Sequence, residues 1–112
     1  MGKRSKAPAR VFAALGDETR LRLVARLCDG GPMSITALTA GAHVTRQAIT
    51  KHLRVMERSG LARHARHGRE SVWQLDQRPL REAGRYLDMI SRQWDDALLR
   101  LRAFVEKDAP QT

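Results

Sequence analysis

The apolar positions of this chain repeat at helical spacing, except in one stretch where the pattern becomes that of strands. A first helix is predicted from about Ala9 to Leu15. A second helix follows Asp17, a suitable N-cap, and ends at the turn residues 29–32. Its apolar side chains cover so much of the helix that we expect a central core element. One stripe of it, expected to be buried, consists of Leu21, Val24, Ala25 and Cys28, and Leu23 and Leu27 widen it.

The stretch from Thr36 to Gly60 reads as two short helices joined by a tight corner. Thr36 is the expected N-cap of the first helix, and Gly41 supplies the left-handed residue that ends it. Thr45 caps the second helix, and Gly60 stops it. The inward face of this second helix is formed by Ile49, Leu53 and Met56, at spacings of four and three. Its outward face carries guanidinium, amide, hydroxyl and ammonium groups.

After Gly60 the pattern predicts a hairpin with strands at 61–65 and 71–75 and a turn around His67 and Gly68. Arginines decorate this hairpin, while Val72, Trp73 and Leu75 supply its apolar contacts. A helix pair followed by a basic-tipped hairpin is the composition of a winged helix-turn-helix, in which one helix enters the DNA major groove.

Pro79 is expected to open a long last helix. Its apolar residues alternate in steps of three and four as a heptad seam, which Leu98 and Val105 broaden. The seam consists of Leu80, Ala83, Leu87, Ile90, Trp94, Ala97, Leu101 and Phe104. A helix of roughly 27 residues would be ~40 Å long. Because so small a domain cannot cover the whole stripe, we expect its second half to pair with another copy of the chain.

The net charge of +9 is confined to two parts of the chain. Residues 1–10 carry four basic residues and no acidic one, and residues 43–70 carry seven basic residues against two acidic ones. The remaining two segments are neutral. A concentrated positive patch indicates a polyanion partner rather than a generally charged surface.

Composition excludes several other classes of protein. No stretch reaches the ~20 apolar residues of a membrane span. A single cysteine cannot form an internal disulfide, so a cytoplasmic protein is expected. The sequence shows no nucleophile–base pair, no metal-ligand set and no phosphate-binding glycine loop, so neither an enzyme nor a cofactor is expected. His43, His64 and His67 lack the spacing that zinc sites prefer, and solvated or phosphate-facing positions are expected for them.

The runs LGDETRLRLVARL and SITALTAGAHVTRQAITKHLRVMERSGLARHARHGRESVWQL closely resemble the ArsR-type (ArsR/SmtB-like) bacterial repressors. The resemblance covers about Val11 to Leu75. It implies a mainly α fold with a small β-hairpin, a winged helix-turn-helix of order α-α-α-α-β-β-α. It also implies that the helix from Thr45 to Ser59 reads DNA, that residues 66–69 form the wing tip, and that the first and last helices dimerise.

The sequence departs from the metal-sensing relatives of that family. The segment from Met33 to Gly41 has no cysteine, histidine or acidic residue, and the last helix has no histidine. The resemblance is therefore closer to a branch that senses no metal.

These inferences give a single domain with defined parts. Residues 1–9 are expected to be a disordered basic tail, residues 10–78 the DNA-binding domain, residues 79–108 its dimerisation helix, and residues 109–112 a second tail. The expected DNA-binding residues are Thr45, Arg46, Gln47, Thr50, Lys51, His52, Arg54, Arg66, His67 and Arg69. The expected dimer-interface residues are Val11, Phe12, Leu87, Ile90, Trp94, Leu98 and Leu101. For His52 two roles remain open, a phosphate contact implied by the family or a half-buried structural position.

The function expected is that of a homodimeric, sequence-specific repressor of a nearby operon, with repression of its own gene left open, on a pseudo-palindromic operator in double-stranded DNA. Three alternatives stay open. The chain could respond to a small organic effector near the dimer seam, bind DNA without sequence choice as a nucleoid protein, or act as a protein-interaction adaptor through its last helix.

Overall fold

A computed structural model describes the chain from residue 2 to residue 108, and its side chains from residue 8 to residue 107. The elements are α1 (Gly2–Leu15), α2 (Glu18–Gly30), β1 (Met33–Ser34), α3 (Ile35–Thr39), α4 (Arg46–Arg58), β2 (Ala62–His67), β3 (Glu70–Leu75) and α5 (Gln77–Asp108). The prediction of a mainly helical winged helix-turn-helix with a small sheet is confirmed.

The first helix is longer than predicted. It begins at Gly2 and contains Pro8, so residues 2–9, for which a disordered tail is predicted, continue α1 in the structure. That segment lacks apolar residues, but lysine, arginine and alanine are strong helix formers and extend a helix whose C-terminal half is anchored. The predicted tail at 109–112 lies outside the described residues.

The N-cap of α2 is confirmed, since a carboxylate oxygen of Asp17 accepts a hydrogen bond of 3.0 Å from the backbone N–H of Arg20. The expected orientation of α2 is wrong. Leu23 and Leu27 are buried, whereas Leu21 is 52% exposed. Ala25 and Cys28 are also exposed, so Cys28 is not the packed core thiol that the pattern predicted. Helix α2 has apolar residues on more than one side, and the domain covers only the side that holds Leu23 and Leu27.

The corner between α3 and α4 is set by side-chain caps and one glycine. Ser34, rather than Thr36, caps α3, because its hydroxyl oxygen accepts from the N–H of Ala37 at 3.1 Å. Pairing of β1 with β3 holds Ser34 in the extended conformation that an N-cap needs. Gly41 has a φ of +74° as predicted.

Both predicted ends of α4 are confirmed. The hydroxyl of Thr45 accepts from the N–H of Ala48 at 3.1 Å. At the other end Gly60 has a φ of +83°, and the N–H of Leu61 donates to the carbonyl of Met56 at 2.9 Å. This pairing is a Schellman motif, which favours glycine. The predicted inward face is confirmed too, with Ile49, Leu53 and Met56 all buried.

The three strands form an antiparallel sheet of order β1-β3-β2. Trp73 of β3 is buried, paired with Met33 on one side and His64 on the other. Strand β2 extends to His67, which pairs with Glu70. The hairpin turn is therefore Gly68–Arg69, one residue later than predicted, and Gly68 supplies the φ of +64° that such a turn requires.

Helix α5 is 32 residues long, so it spans ~48 Å. Asp76 accepts from the backbone N–H of Arg78 at 3.1 Å at the start of α5, and Pro79 lies within the first turn instead of opening the helix. In the N-terminal part Ala83 is buried, and Tyr86 lies near Phe12 with ring centroids 6.3 Å apart.

The rest of the seam on α5 is exposed in the single chain. This holds for Leu87, Ile90, Trp94, Leu98, Leu101, Phe104 and Val105. The molecule is accordingly elongated, at 76 × 35 × 20 Å. Val11 was expected to lie in the dimer interface, and the structure corrects this expectation. The residue is 2% exposed, because it packs in the core of its own chain, where a partner cannot reach it. None of the helices in the described part is long and apolar enough to span a membrane.

Candidate nucleic-acid interface

The start of α4 presents a shallow polar hollow to the solvent. It is lined by Thr45, Arg46, Gln47, Ala48, Thr50 and Lys51, five of which were predicted to contact DNA. The N-cap at Thr45 starts the helix here, and the buried face at Ile49 fixes its rotation, so these polar side chains point away from the core. The structure therefore brings these five residues together on one exposed surface.

Two contacts define how the hollow can bind. The guanidinium of Arg46 reaches back to the hydroxyl of Thr36 at 3.5 Å, which directs it toward α3. The hydroxyl of Thr50 donates to the carbonyl of Arg46 at 2.9 Å. Because that proton is already used, Thr50 offers an acceptor oxygen and a methyl group, a combination suited to a base amino group or a thymine methyl.

Gln47, Lys51 and Arg54 are exposed along the same helix. An amide can form two hydrogen bonds to adenine, and basic side chains suit guanine or phosphate oxygens. The surface therefore combines groups that read bases with groups that bind the backbone of a nucleic acid.

His52 occupies the structural position that the sequence left open. Its Nδ1 atom lies 3.2 Å from a guanidinium nitrogen of Arg20 and 3.7 Å from a carboxylate oxygen of Asp17, and its side chain is 23% exposed. Hydrogen bonding by the backbone N–H of Arg20 is the main cause that lowers the pKa of Asp17, and the charge of His52 adds to it.

Arg20 connects this junction to the first helix. Its Nε donates to the carbonyl of Ala14 near the end of α1, while its Nη1 faces His52 on α4. The cluster of Asp17, Arg20 and His52 therefore holds α1, α2 and α4 in a fixed relation. Arg20 was not predicted as a functional residue, because nothing local in the sequence pairs residue 20 with residue 52.

The hairpin of β2 and β3 carries a second basic surface. Arg63, Arg66, His67 and Arg69 are all exposed, and the last three lie at or beside the tip as predicted. These residues can reach phosphates on either side of the groove that α4 would enter.

His64 links the hairpin to α4 while remaining exposed, a contact that the prediction of a solvated or phosphate-facing side chain did not include. Its Nδ1 lies 2.6 Å from a carboxylate oxygen of Glu57, and its ring lies 4.5 Å from that of Trp73. The signal was present in the hairpin register, because His64 is the direct cross-strand partner of Trp73.

Among residues 8–107, no three histidine, cysteine, aspartate or glutamate side chains are close enough together to hold a metal ion. Most charges of the interface are basic. Glu57 is paired with His64, and Asp17 with Arg20 and His52, while Glu70 is exposed on the hairpin among Arg66, His67 and Arg69. The exposed surface of α4 and the hairpin thus stays positive.

The comparisons with known proteins agree with this geometry. A family model described as a helix-turn-helix domain matches residues 15–65. The HTH-type transcriptional regulator Rv2034 of Mycobacterium tuberculosis is 31% identical over 107 residues, which cover 96% of each chain. The matched relatives are transcriptional regulators rather than enzymes.

Two solved structures extend the likeness to the whole fold. The ArsR-like transcriptional regulator from Rhodococcus sp. RHA1 is 32% identical, with a TM-score of 0.76 over 99% of this chain and 100% of that one. The homodimeric winged helix-turn-helix DNA-binding domain of Mb0332 from Mycobacterium bovis has a TM-score of 0.60 over 83% of this chain and 82% of that one, and at 19% identity it shows the fold alone. On this evidence the chain belongs to the ArsR family of transcriptional regulators, and α3 and α4 form the helix-turn-helix of its DNA-binding domain.

Proposed function

We propose that the protein is a homodimeric repressor that binds a pseudo-palindromic operator near the genes it controls. The observation that carries this proposal is the exposed apolar seam of α5 from Leu87 to Val105. A seam of this length needs a partner, and a second copy related by a two-fold axis is the simplest one. The homodimeric state of the Mb0332 domain supports the same arrangement.

A two-fold dimer would present two copies of α4 to the same face of a duplex. Recognition helices placed about one turn of DNA apart, ~34 Å, would read equivalent half-sites. Bound over a promoter, such a dimer represses by occlusion. The polar hollow at the start of α4 supplies the base contacts, and Arg66, His67 and Arg69 supply phosphate contacts at the wing.

The direct test is a selection from random duplex DNA, followed by affinity measurements across salt concentrations. The proposal expects an inverted-repeat site with one dimer bound. It also expects affinity to fall by orders of magnitude between ~50 and 200 mM salt. Equal affinity for random duplexes would instead indicate a nucleoid-type protein, and no binding at physiological salt would favour an adaptor role for α5.

A pair of substitutions tests the division of labour. Gln47→Ala should cost about 1–3 kcal/mol on the selected site and change the base preference. Arg69→Gln should weaken selected and random DNA by similar factors and reduce the salt slope by about one. If both variants lose affinity equally on all sequences, α4 does not read bases through Gln47.

The proposal also places the protein in a branch that senses no metal. It is supported by the composition of β1 and α3, which contain no cysteine, histidine or acidic residue. Added Zn²⁺ or arsenite should leave operator affinity unchanged within about twofold, whereas a larger loss of affinity at micromolar ion would contradict this part of the proposal.

A further inference from the structure

A cavity of about 240 Å³ lies between α2 and the turn that joins α3 to α4. Its floor is apolar and is formed by Leu23, Leu38 and Ile49, which are all buried core residues. Val44 and Ala42 of the turn complete the apolar wall. The cavity lies within one chain. Helices α2, α3 and α4 and the turn between α3 and α4 all contribute residues to its lining.

The charged residues that line this cavity are all basic. They are Arg22 and Arg26 of α2, with His43 of the turn at the same opening. No acidic side chain lines it, but Arg22 is ion-paired at 2.5 Å with Glu18, which lies outside the lining, so of the two arginines only Arg26 lacks an acidic partner. A pocket with an apolar floor and convergent basic groups selects a ligand that has an apolar body and a negative end.

Arg26 strengthens this assignment because its charge has no acidic partner. The guanidinium is half-buried, and it donates to the carbonyls of Leu38 at 2.7 Å and Ala37 at 2.9 Å. Among the described residues, Arg26 takes part in no salt bridge. A half-buried cation that is held only by carbonyl dipoles is stabilised by an anion brought next to it.

We propose that this cavity binds a small organic monocarboxylate, with the carboxylate held mainly by Arg26, beside the Arg22–Glu18 pair, and the apolar body on Leu23, Leu38 and Ile49. The volume is slightly below the ~300–1,000 Å³ typical of drug-sized ligands, which limits the ligand to about ten non-hydrogen atoms. The inference rests on the proposed function for its consequence, because the ligand would regulate DNA binding.

The link to DNA is short. Residues 41–44 form a wall of the cavity, and the next residue, Thr45, caps α4 and lines the polar hollow. A bound carboxylate adds a negative charge beside a surface that must hold phosphates, and it braces the turn that positions α4. Operator affinity is therefore expected to fall by about fivefold or more when the cavity is filled.

Binding is tested with benzoate on the full-length ¹⁵N-labelled protein. The proposal expects saturable shifts of the amide signals of Gly41, Ala42 and Val44, with a dissociation constant of about 1 mM or tighter. Benzamide, which lacks the charge, and acetate, which lacks the apolar body, should each bind at least about tenfold more weakly. Absence of saturable shifts at these amides, or equal binding of the three compounds, overturns the proposal.

Two variants and a matched control locate the site. Ala42→Leu fills the cavity and Arg22→Gln removes a cavity charge, and both should weaken benzoate binding at least about tenfold. Arg85→Gln removes the same charge from the exposed surface of α5 and should leave it unchanged. Thermal unfolding checks that each variant is folded. Should Ala42→Leu not fold, the comparison of Arg22→Gln with Arg85→Gln decides, and equal effects of those two overturn the assignment.

Operator affinity with and without saturating benzoate tests the regulatory consequence. A fall of about fivefold or more supports it, and a change of less than twofold overturns it. A protein that fails to bind any selected DNA without benzoate would refute the proposed repressor function. The amide shifts would still report on the cavity, so the two failures are distinguishable.

Discussion

In the winged domain most large apolar side chains, though not Leu21, lie in one core, whereas the second half of α5 exposes side chains of the same kind. Leu53 of α4 is 0% exposed, and Trp94 of α5 is 64% exposed. Both residues belong to regular apolar stripes on amphipathic helices. The stripe of α4 is covered by α2, α3 and the hairpin of the same chain, and the stripe of α5 extends beyond anything that its own chain can supply.

An apolar stripe therefore predicts burial, but it does not determine which molecule covers the stripe. For α4 the cover is local, because turns at Gly41 and Gly60 fold neighbouring segments back onto it. For α5 the chain makes no such turn between Pro79 and Asp108, so the helix continues away from the domain. The winged domain should therefore owe its stability to its own core, and the end of α5 should owe its order to association.

The largest expected effect comes from truncating the core. Leu53→Ala should lower the free energy of unfolding by about 2–5 kcal/mol, because it leaves a cavity among Ile49, Met56 and their neighbours. Urea denaturation at fixed protein concentration measures it. Leu99→Ala, at a site that is 62% exposed on α5, should change stability by no more than about 0.5 kcal/mol. Equal losses would mean that the two regions do not differ in the way described.

The next effect concerns association. Trp94→Glu combined with Leu101→Glu should raise the dimer dissociation constant at least about 100-fold, because each carboxylate would be buried unpaired in the seam. Sedimentation equilibrium measures the constant, and circular dichroism should show that the winged domain stays folded.

Leu99→Glu is the matched control for that pair. Leu99 is as exposed as the seam residues, but it is turned roughly 140–200° from Trp94 and Leu101 around the helix. It should change the dissociation constant by less than about threefold. If Leu99→Glu dissociates the dimer and the double variant does not, then the partner packs on the other side of α5.

Local signals in the sequence were sufficient for the start of α2 and for both ends of α4. The caps at Asp17 and Thr45 and the stop at Gly60 depend on residues within one turn of helix, and all three were predicted. The inward face of α4 was predicted as well, because it has only one apolar stripe. The exposed polar hollow followed from that face, so the part of the candidate site on α4 was readable from the sequence.

Tertiary packing decided what the sequence could not. Helix α2 has apolar residues on several sides, and only contact with the rest of the domain selects Leu23 and Leu27 over Leu21 and Cys28. The pairs Arg20–His52 and Glu57–His64 join residues far apart in the chain or across a turn. Their partners depend on helix docking and strand register, which periodicity does not supply.

Two glycines give a smaller effect of opposite sign in the two regions. Gly60 has a φ of +83°, so Gly60→Ala should destabilise the fold by about 1 kcal/mol through backbone strain. A steric clash adds nothing, because the nearest atom to the new Cβ, on Pro79, is at an ordinary contact distance of 3.9 Å. Gly84 lies inside α5 with no atom within 4 Å of an added Cβ. Gly84→Ala should therefore stabilise by about 0.5–1 kcal/mol. Thermal unfolding compares them, and a destabilising Gly84→Ala would indicate that the partner's backbone packs closely there.

The smallest effect is a pH dependence at Asp76, where the winged domain meets α5. A side-chain hydrogen bond from Arg78 is the main cause that lowers the pKa of Asp76 to about 2 from 3.8, and the backbone N–H of Arg78 adds to it. Because the pKa is lower in the folded state, the stabilising contribution of this carboxylate is complete above about pH 4 and is lost as the pH falls toward 2. The unfolding free energies of the wild type and Asp76→Asn should therefore converge over that range, since asparagine keeps a capping oxygen but has no charge.

Asp95→Asn provides the comparison for this titration, because it removes the same charge from the exposed part of α5, where the described side chains form no salt bridge with Asp95. The difference between this variant and the wild type should stay nearly constant from pH 5 to pH 2 in urea denaturation. If the Asp76→Asn difference is equally constant, the Arg78 contact does not stabilise the folded chain in solution. In that case the start of α5 is held by Pro79 and Leu80 packing on the domain, and the boundary between the two regions lies later in the chain than Asp76.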